Sequence, residues 1–146
     1  MNFNNIKQLR EENELTQKEM AEKLNTTRSA YSLWELGKNI IPLPKLLELS
    51  NMFKISMDYL CGLSTLKDIK YPHPTIDKKS IGKNLLQTRK KLKLTQEKFA
   101  KKFNTTHSAI SSYENGITLI PTIFLIELSR ISNKSIDWFC SNKINE

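Results

Sequence analysis

The chain contains one stretch of sequence twice. When the sequence is laid over itself with a shift of 79 residues, residues 5–62 align with residues 84–141 without a gap, and 25 of the 58 aligned positions are identical. Self-similarity over this length indicates a duplicated folding unit. We therefore predict two domains with the same fold instead of a single domain across all 146 residues.

Each copy has the sequence pattern of five short helices. In the first copy, Thr16 followed by Glu19 matches a helix-capping box, and Thr27 begins the next helix only a few residues after the previous one ends. Gly37 closes that third helix, and Pro44 suits the first turn of the fourth. The predicted fold class is therefore all-α, with two tandem five-helix domains. The capping residues expected in the second copy are Ser80, Thr95, Thr106, Thr122 and Ser135.

A segment with two prolines separates the copies. Residues 71–74 read Tyr-Pro-His-Pro, and each proline disfavours helical geometry in the residue before it. We therefore expect a first domain over residues 1–62, a linker over residues 63–79 and a second domain over residues 80–142.

The composition is that of a soluble protein with an anionic partner. Mean hydropathy is −0.47, and the sequence has neither an apolar run of membrane-spanning length nor the apolar segment of a secretory signal. We expect a cytoplasmic protein that does not bind membranes. The net charge of +8 and the pI near 9.5 suggest nucleic acid as partner. Residues 1–70 carry a balance of only +1, whereas residues 71–146 carry +7.

The second and third helices of each copy are joined by a very short turn, and both begin after a threonine. This pattern describes a helix-turn-helix, in which the N-terminal end of the second helix enters the major groove of DNA. Unpaired N–H groups at that end attract phosphate, and an arginine there can make two hydrogen bonds to guanine.

Four short motifs recur in both copies at matching spacing. They are Leu-Thr-Gln at residues 15–17 and 94–96, an alanine five residues after that threonine, Asn-Thr-Thr at residues 25–27 and 104–106, and Glu-x-Gly at residues 35–37 and 114–116. The combination resembles the Cro/Xre family of phage and bacterial helix-turn-helix repressors. The resemblance implies two lambda-repressor-like domains and a regulator of transcription, acting as a repressor, that binds double-stranded DNA.

The resemblance also assigns residues by position. It implies internal ion pairs between Arg10 and Glu35 and between Arg89 and Glu114. Because the third helices of the two copies differ, one chain is expected to read two unlike half-sites. The implied DNA-binding residues of the first copy are Gln17, Thr27, Arg28, Ser29, Ser32, Leu33, Lys38 and Asn39. Those of the second copy are Gln96, Thr106, His107, Ser108, Ser111, Ser112 and Asn115.

The sequence offers little for catalysis. Neither His73 nor His107 has neighbours with metal-ligand spacing, and a nucleophile pair of His107 with Ser108 would need a buried acid and a pocket. We expect no enzyme, no cofactor, no metal and no small-molecule ligand. Cys61 and Cys140 are read as small buried residues, without a disulfide.

Two other functions stay open at this point. The chain is alternatively a protein-interaction module, such as an antitoxin or an anti-repressor, in which the third helix of one or both copies binds a protein. The near-neutral first copy favours this reading, and Arg28 argues against it. In a third reading, only the basic second copy binds DNA and the first copy mediates dimers. Whether the chain forms a homodimer is also left open.

Overall fold

A computed structural model of the chain describes residues 3–71 and 75–141. These residues form ten α-helices and no strand, which confirms the predicted all-α class. The helices fall into two compact units, called unit one and unit two below, with the boundary between Lys70 and Tyr71. Each unit holds five helices, so the duplicated sequence folds twice into the same series of elements.

The helices of the two units correspond one to one. Unit one contains α1 (Asn4–Glu12), α2 (Gln17–Lys23), α3 (Arg28–Leu36), α4 (Leu43–Phe53) and α5 (Met57–Leu60). Unit two contains α6 (Lys78–Lys91), α7 (Gln96–Lys102), α8 (His107–Glu114), α9 (Thr122–Ser132) and α10 (Ile136–Phe139). In each unit the second and third helices pack on each other, and the first helix packs on the third.

Each of the five helices of unit one contributes an apolar face to the core of that unit. Ile6 of α1, Met20 of α2, Tyr31 of α3, Leu46 of α4 and Leu60 of α5 have no exposed surface. Burying a side chain of this size contributes roughly 1.5–3 kcal/mol of hydrophobic stabilisation. The third helix is therefore anchored by its inner face, and its other face is left for solvent.

In unit two, a cluster of aromatic rings adds to a core of buried isoleucine and leucine side chains. Phe124 of α9 lies in contact with Phe99, Phe103 and Tyr113, with ring centroids 5.9, 4.4 and 5.8 Å away. Such pairs add about 0.5–1.5 kcal/mol beyond the area that they bury. The same fold is thus held together by different side chains in the two copies.

Hydroxyl caps start most of the helices where the sequence predicts them. Thr16 and Glu19 form the full capping box: the Thr16 hydroxyl accepts from the Glu19 N–H at 3.1 Å, and the Glu19 carboxylate accepts from the Thr16 N–H at 3.0 Å. Thr95 caps α7 without a reciprocal partner, because Lys98 stands in place of the glutamate. Ser56 and Ser135 cap α5 and α10 as expected.

Two predicted caps are wrong. Ser80 lies inside α6, which begins one turn earlier because the Asp77 carboxylate accepts from the backbone N–H groups of Lys79 and Ser80. The Ser80 hydroxyl itself donates to Asp77 at 3.1 Å. Thr122 is the first residue of α9 and not its N-cap, because Pro121 takes the extended cap position before it.

Part of the predicted linker belongs to unit one. The Ser56 hydroxyl donates to the Leu66 carbonyl at 3.0 Å, and the Ser56 N–H donates to the Lys67 carbonyl at 2.8 Å. At the other side, Asp77 already caps α6. The Pro72-His73-Pro74 segment of the predicted linker, and residue 142 at the end of the predicted second domain, lie outside the described residues. The domain limits given above stay a prediction.

Cys61 and Cys140 are both buried, at equivalent places behind the last helix of each unit. In the part of the chain that the structure describes, no helix is long and apolar enough to cross a lipid bilayer.

Candidate nucleic-acid interface

The turn between α2 and α3 is made by the first Asn-Thr-Thr motif. Asn25 has a left-handed backbone with φ of 52°, which asparagine tolerates better than most residues. The Thr26 N–H then donates to the Ala21 carbonyl at 2.9 Å and closes α2. Thr27 is extended, and its hydroxyl accepts from the Ala30 N–H at 3.1 Å, which starts α3. Three consecutive residues thus set the angle between the two helices.

The second Asn-Thr-Thr motif builds the same turn in unit two. Asn104 has φ of 54°, and the Thr105 N–H donates to the Ala100 carbonyl at 2.9 Å. The Thr106 hydroxyl accepts from the Ala109 N–H at 3.1 Å and caps α8. Both units therefore present a helix-turn-helix.

The first turns of α3 and α8 are open to solvent. The cap and the two residues after it are exposed in each unit: Thr27, Arg28 and Ser29 in unit one, Thr106, His107 and Ser108 in unit two. At this end of a helix the unpaired N–H groups and the partial positive charge favour an anion. All six predicted residues therefore lie where a phosphate or a base edge can reach them.

The next turn of each helix is half-buried. Ser32 and Leu33 of α3 show this intermediate exposure, as do Ser111 and Ser112 of α8. In unit two the serines already have partners within the unit. The Ser112 hydroxyl lies 2.7 Å from the Thr118 hydroxyl, and the Asn115 amide donates to the Ser111 hydroxyl at 3.3 Å.

The segment that follows α3 turns back on the helix end. Gly37, with φ of 71°, lets the N–H groups of Lys38 and Asn39 donate to the Leu33 carbonyl at 3.0 and 3.3 Å. Both side chains are exposed beside the helix, as expected for residues that contact DNA phosphates.

Unit two has the same turn, made by residues that are not among the predicted DNA-binding residues. Ile117 and Thr118 donate their N–H groups to the Ser112 carbonyl at 3.0 and 3.3 Å, and Ile117 is 68% exposed. The repeat alignment sets these two residues opposite Lys38 and Asn39.

A buried ion pair fixes the end of α3 in unit one. The Arg10 guanidinium of α1 donates to the Glu35 carboxylate through Nε at 2.7 Å and through Nη2 at 3.3 Å, and the two side chains are 12% and 3% exposed. Arg10 Nη1 also donates to the Leu15 carbonyl at 2.9 Å. The ion pair implied by the resemblance is confirmed.

Gln17, predicted to contact DNA, joins this network. Its amide Nε2 donates to Glu35 at 3.1 Å, so the start of α2 is tied to the end of α3. An amide nitrogen has two N–H donors. Because Glu35 takes one of them, the other stays available for a phosphate oxygen.

Unit two repeats the network residue for residue. Arg89 donates to Glu114 through Nε at 2.6 Å and through Nη2 at 3.1 Å, and its Nη1 donates to the Leu94 carbonyl at 2.8 Å. Gln96 donates to Glu114 at 2.9 Å. The second implied ion pair is therefore confirmed as well, and both glutamines share its acceptor.

The protonation of Glu35 reflects these contacts. Burial by itself raises the pKa of the Glu35 carboxyl, but the hydrogen bonds from Arg10 and Gln17 and the charge of Arg10 help to outweigh burial, and the pKa lies below its ordinary value. In turn, the hydrogen bond to Glu35 raises the pKa of Arg10. Both groups are therefore charged at neutral pH.

Residues 3–71 and 75–141 contain no group of three or more His, Cys, Asp or Glu side chains placed to hold a metal ion. The arrangement that does recur is a solvent-open helix end held on a rigid, ion-paired frame. Such a helix end can donate hydrogen bonds to an anion.

Comparison with known proteins identifies the family. The model of the Helix-turn-helix family matches the chain twice, at residues 6–60 and 85–139. The chain is 43% identical over 56 residues to the "Uncharacterized HTH-type transcriptional regulator YqaE" of Bacillus subtilis (strain 168), which covers 38% of this chain and 48% of that protein. It is 32% identical over 76 residues to the "Uncharacterized HTH-type transcriptional regulator YobD" of the same organism, which covers 52% and 63%.

The chain thus spans about half of the first relative and less than two thirds of the second. No solved structure matches it significantly. The two family matches coincide with the two units that carry the Asn-Thr-Thr turn and the Arg–Glu–Gln network. The chain belongs to the Cro/Xre-like helix-turn-helix family and carries its domain twice in tandem.

Proposed function

We propose that the chain is a sequence-specific regulator of transcription that binds double-stranded DNA and represses by occupying an operator. The observation that carries this proposal is the exposed, threonine-capped first turn at the start of both α3 and α8. Membership of the family supports it, as do the names of the two relatives as transcriptional regulators.

The side chains of these turns suit base reading. Arg28 offers a rigid pair of donors that matches the two acceptors of guanine in the major groove. His107, at the same place in α8, offers one or two donors depending on its protonation. The short hydroxyl side chains of Thr27, Ser29, Thr106 and Ser108 let the backbone approach the groove, where the helix N–H groups favour phosphate.

The two third helices read different sequences under this proposal. After the cap, α3 begins Arg-Ser-Ala-Tyr-Ser-Leu and α8 begins His-Ser-Ala-Ile-Ser-Ser. Leu33 can contact a thymine methyl group, whereas the equivalent Ser112 is polar and is bonded to Thr118. We therefore propose an operator with two unlike halves, one for each unit.

A protein-interaction role, as in an antitoxin or an anti-repressor, is the second candidate. One observation favours it for unit one: Leu36, at the end of α3, is 57% exposed in a unit of nearly neutral charge. The two candidates differ in salt dependence, because DNA binding weakens steeply as salt rises, whereas a largely apolar protein contact does not.

Selection of bound sequences from a random pool of duplex DNA tests the proposal. The full chain should enrich a motif with two dissimilar halves, because each recognition helix contributes its own contacts. Pools carried through without protein are the control. If no sequence is enriched, and the chain instead binds a protein with an affinity that does not change with salt, the protein-interaction role replaces DNA binding as the proposed function.

A further inference from the structure

The two units carry opposite charges at five matching positions of their first two helices and of the turn between these helices. Five glutamates of unit one have a lysine at the equivalent position of unit two, and all ten side chains are exposed. The lysine surface, as we call it, consists of Lys90, Lys91, Lys93, Lys98 and Lys101. The equivalent glutamate surface consists of Glu11, Glu12, Glu14, Glu19 and Glu22.

The lysine surface adjoins the helix that the proposed function places in the groove. Lys98 and Lys101 belong to α7, which packs directly on α8, and the first residue of α7, Gln96, is bonded to Glu114 of α8. Lys90 and Lys91 follow Arg89, which is the partner of the same Glu114. The lysines therefore extend from elements that hold the recognition helix in place.

Among the described residues, none of the five lysines takes part in an ion pair. Like charges at this density repel each other, and the repulsion falls when an anionic partner binds. A polyanion therefore fits the lysine surface.

We propose that the lysine surface binds DNA phosphates beside the groove that α8 enters, so that unit two supplies most of the chain's electrostatic affinity. This inference rests on the proposed function. In helix-turn-helix proteins the helix before the recognition helix crosses the DNA backbone, which is where α7 carries its lysines. Unit one has glutamates in the same places, which repel phosphates, so it contributes mainly sequence reading through α3.

The test is a salt titration of the full chain on a fluorescently labelled duplex of mixed sequence. The site variant is Lys93→Glu/Lys98→Glu/Lys101→Glu, which introduces the residues that unit one already tolerates at these positions. The matched control is Lys7→Glu/Lys54→Glu/Lys67→Glu, three exposed lysines of unit one that change the net charge equally.

In a plot of log affinity against log salt concentration, the slope for the site variant should be less steep than that of the wild-type chain by roughly 2–3. Each phosphate contact that is lost reduces the steepness by about 0.9. Its affinity near 0.1 M salt should fall more than tenfold, and the control should lose less than about one unit of slope.

Equal losses in both variants would overturn the inference, because affinity would then follow net charge alone. It would also be overturned if the site variant kept the slope of the wild-type chain and instead lost self-association in sedimentation, since the surface would then pair with an acidic protein face. If the wild-type chain bound no duplex even at low salt, the proposed function itself would fail.

Discussion

Glu35 and Glu114 are the side chains on which the position of each recognition helix depends. Each joins three segments, since it accepts from an arginine of the first helix and from a glutamine at the start of the second. The glutamates therefore act on the interface through geometry, although they are too buried to touch DNA themselves.

Replacing Glu35 by glutamine should destabilise unit one by about 2–4 kcal/mol, because Arg10 keeps its charge and loses its partner in a buried site. Urea unfolding followed by Trp34 fluorescence, in a Trp138→Phe background, measures the change in unit one. The control is Glu48→Gln, whose ion pair with Lys45 is at the surface, with Glu48 44% exposed, and should contribute within about 0.5 kcal/mol. Equal effects of the two variants would contradict the role of Glu35.

The same variant has a defined pH dependence. Because the folded-state pKa of Glu35 lies below its ordinary value of 4.5, its stabilising contribution is complete above that pH and is lost as pH falls through the lower folded-state pKa. The difference in unfolding free energy between the wild-type chain and Glu35→Gln should therefore be constant from pH 7 to about 5 and shrink below. If the difference in unfolding free energy grew as the pH fell, the prediction would be contradicted.

Among the helices, α6 differs most from its counterpart. It has 14 residues where α1 has 9, since Asp77 starts it early, and it carries Gly82 where the first repeat has the buried Phe3. A Cβ atom at Gly82 would lie 2.6 Å from the carbonyl oxygens of both Tyr113 and Glu114. The glycine thus allows α6 to approach the end of α8.

Gly82→Ala should therefore destabilise unit two by about 1–3 kcal/mol, because backbone atoms must move apart. Without that contact, alanine would stabilise the helix by roughly 0.5–1 kcal/mol. Urea unfolding followed by Trp138 fluorescence in a Trp34→Phe background gives the value, with the exposed neighbour Lys83→Ala as control. A Gly82→Ala chain more stable than the wild type would contradict the close approach.

The helices also show what sequence could predict and what it could not. Thr16, Thr27 and Thr95 were predictable as caps, because their bonds are made within one turn. Ser80 was assigned wrongly because Asp77, three residues earlier, already caps the helix, so that Ser80 lies inside its first turn. The bond from Gln17 to Glu35 spans 18 residues, and only the packed helices bring these groups together.

For the whole molecule, duplication was the feature most readily predicted, because it needs only the alignment of the chain with itself. The connection between the copies was harder, since Leu66 and Lys67 look like linker in sequence but accept hydrogen bonds from Ser56. Between Lys67 and Asp77 the chain extends to about 35 Å at most. Under the proposed function, binding by one unit would keep the other at high local concentration near the DNA.

The central claim is that the N-terminal ends of α3 and α8 read DNA. It is tested most directly by comparing Arg28→Ala and His107→Ala, one at a time, on the duplex enriched from the random pool, with Lys54→Ala as the control. Each variant should weaken binding by about 1–3 kcal/mol and relax sequence preference in one half of the motif only, a different half for each. Unchanged affinity and unchanged preference in both variants would contradict the claim.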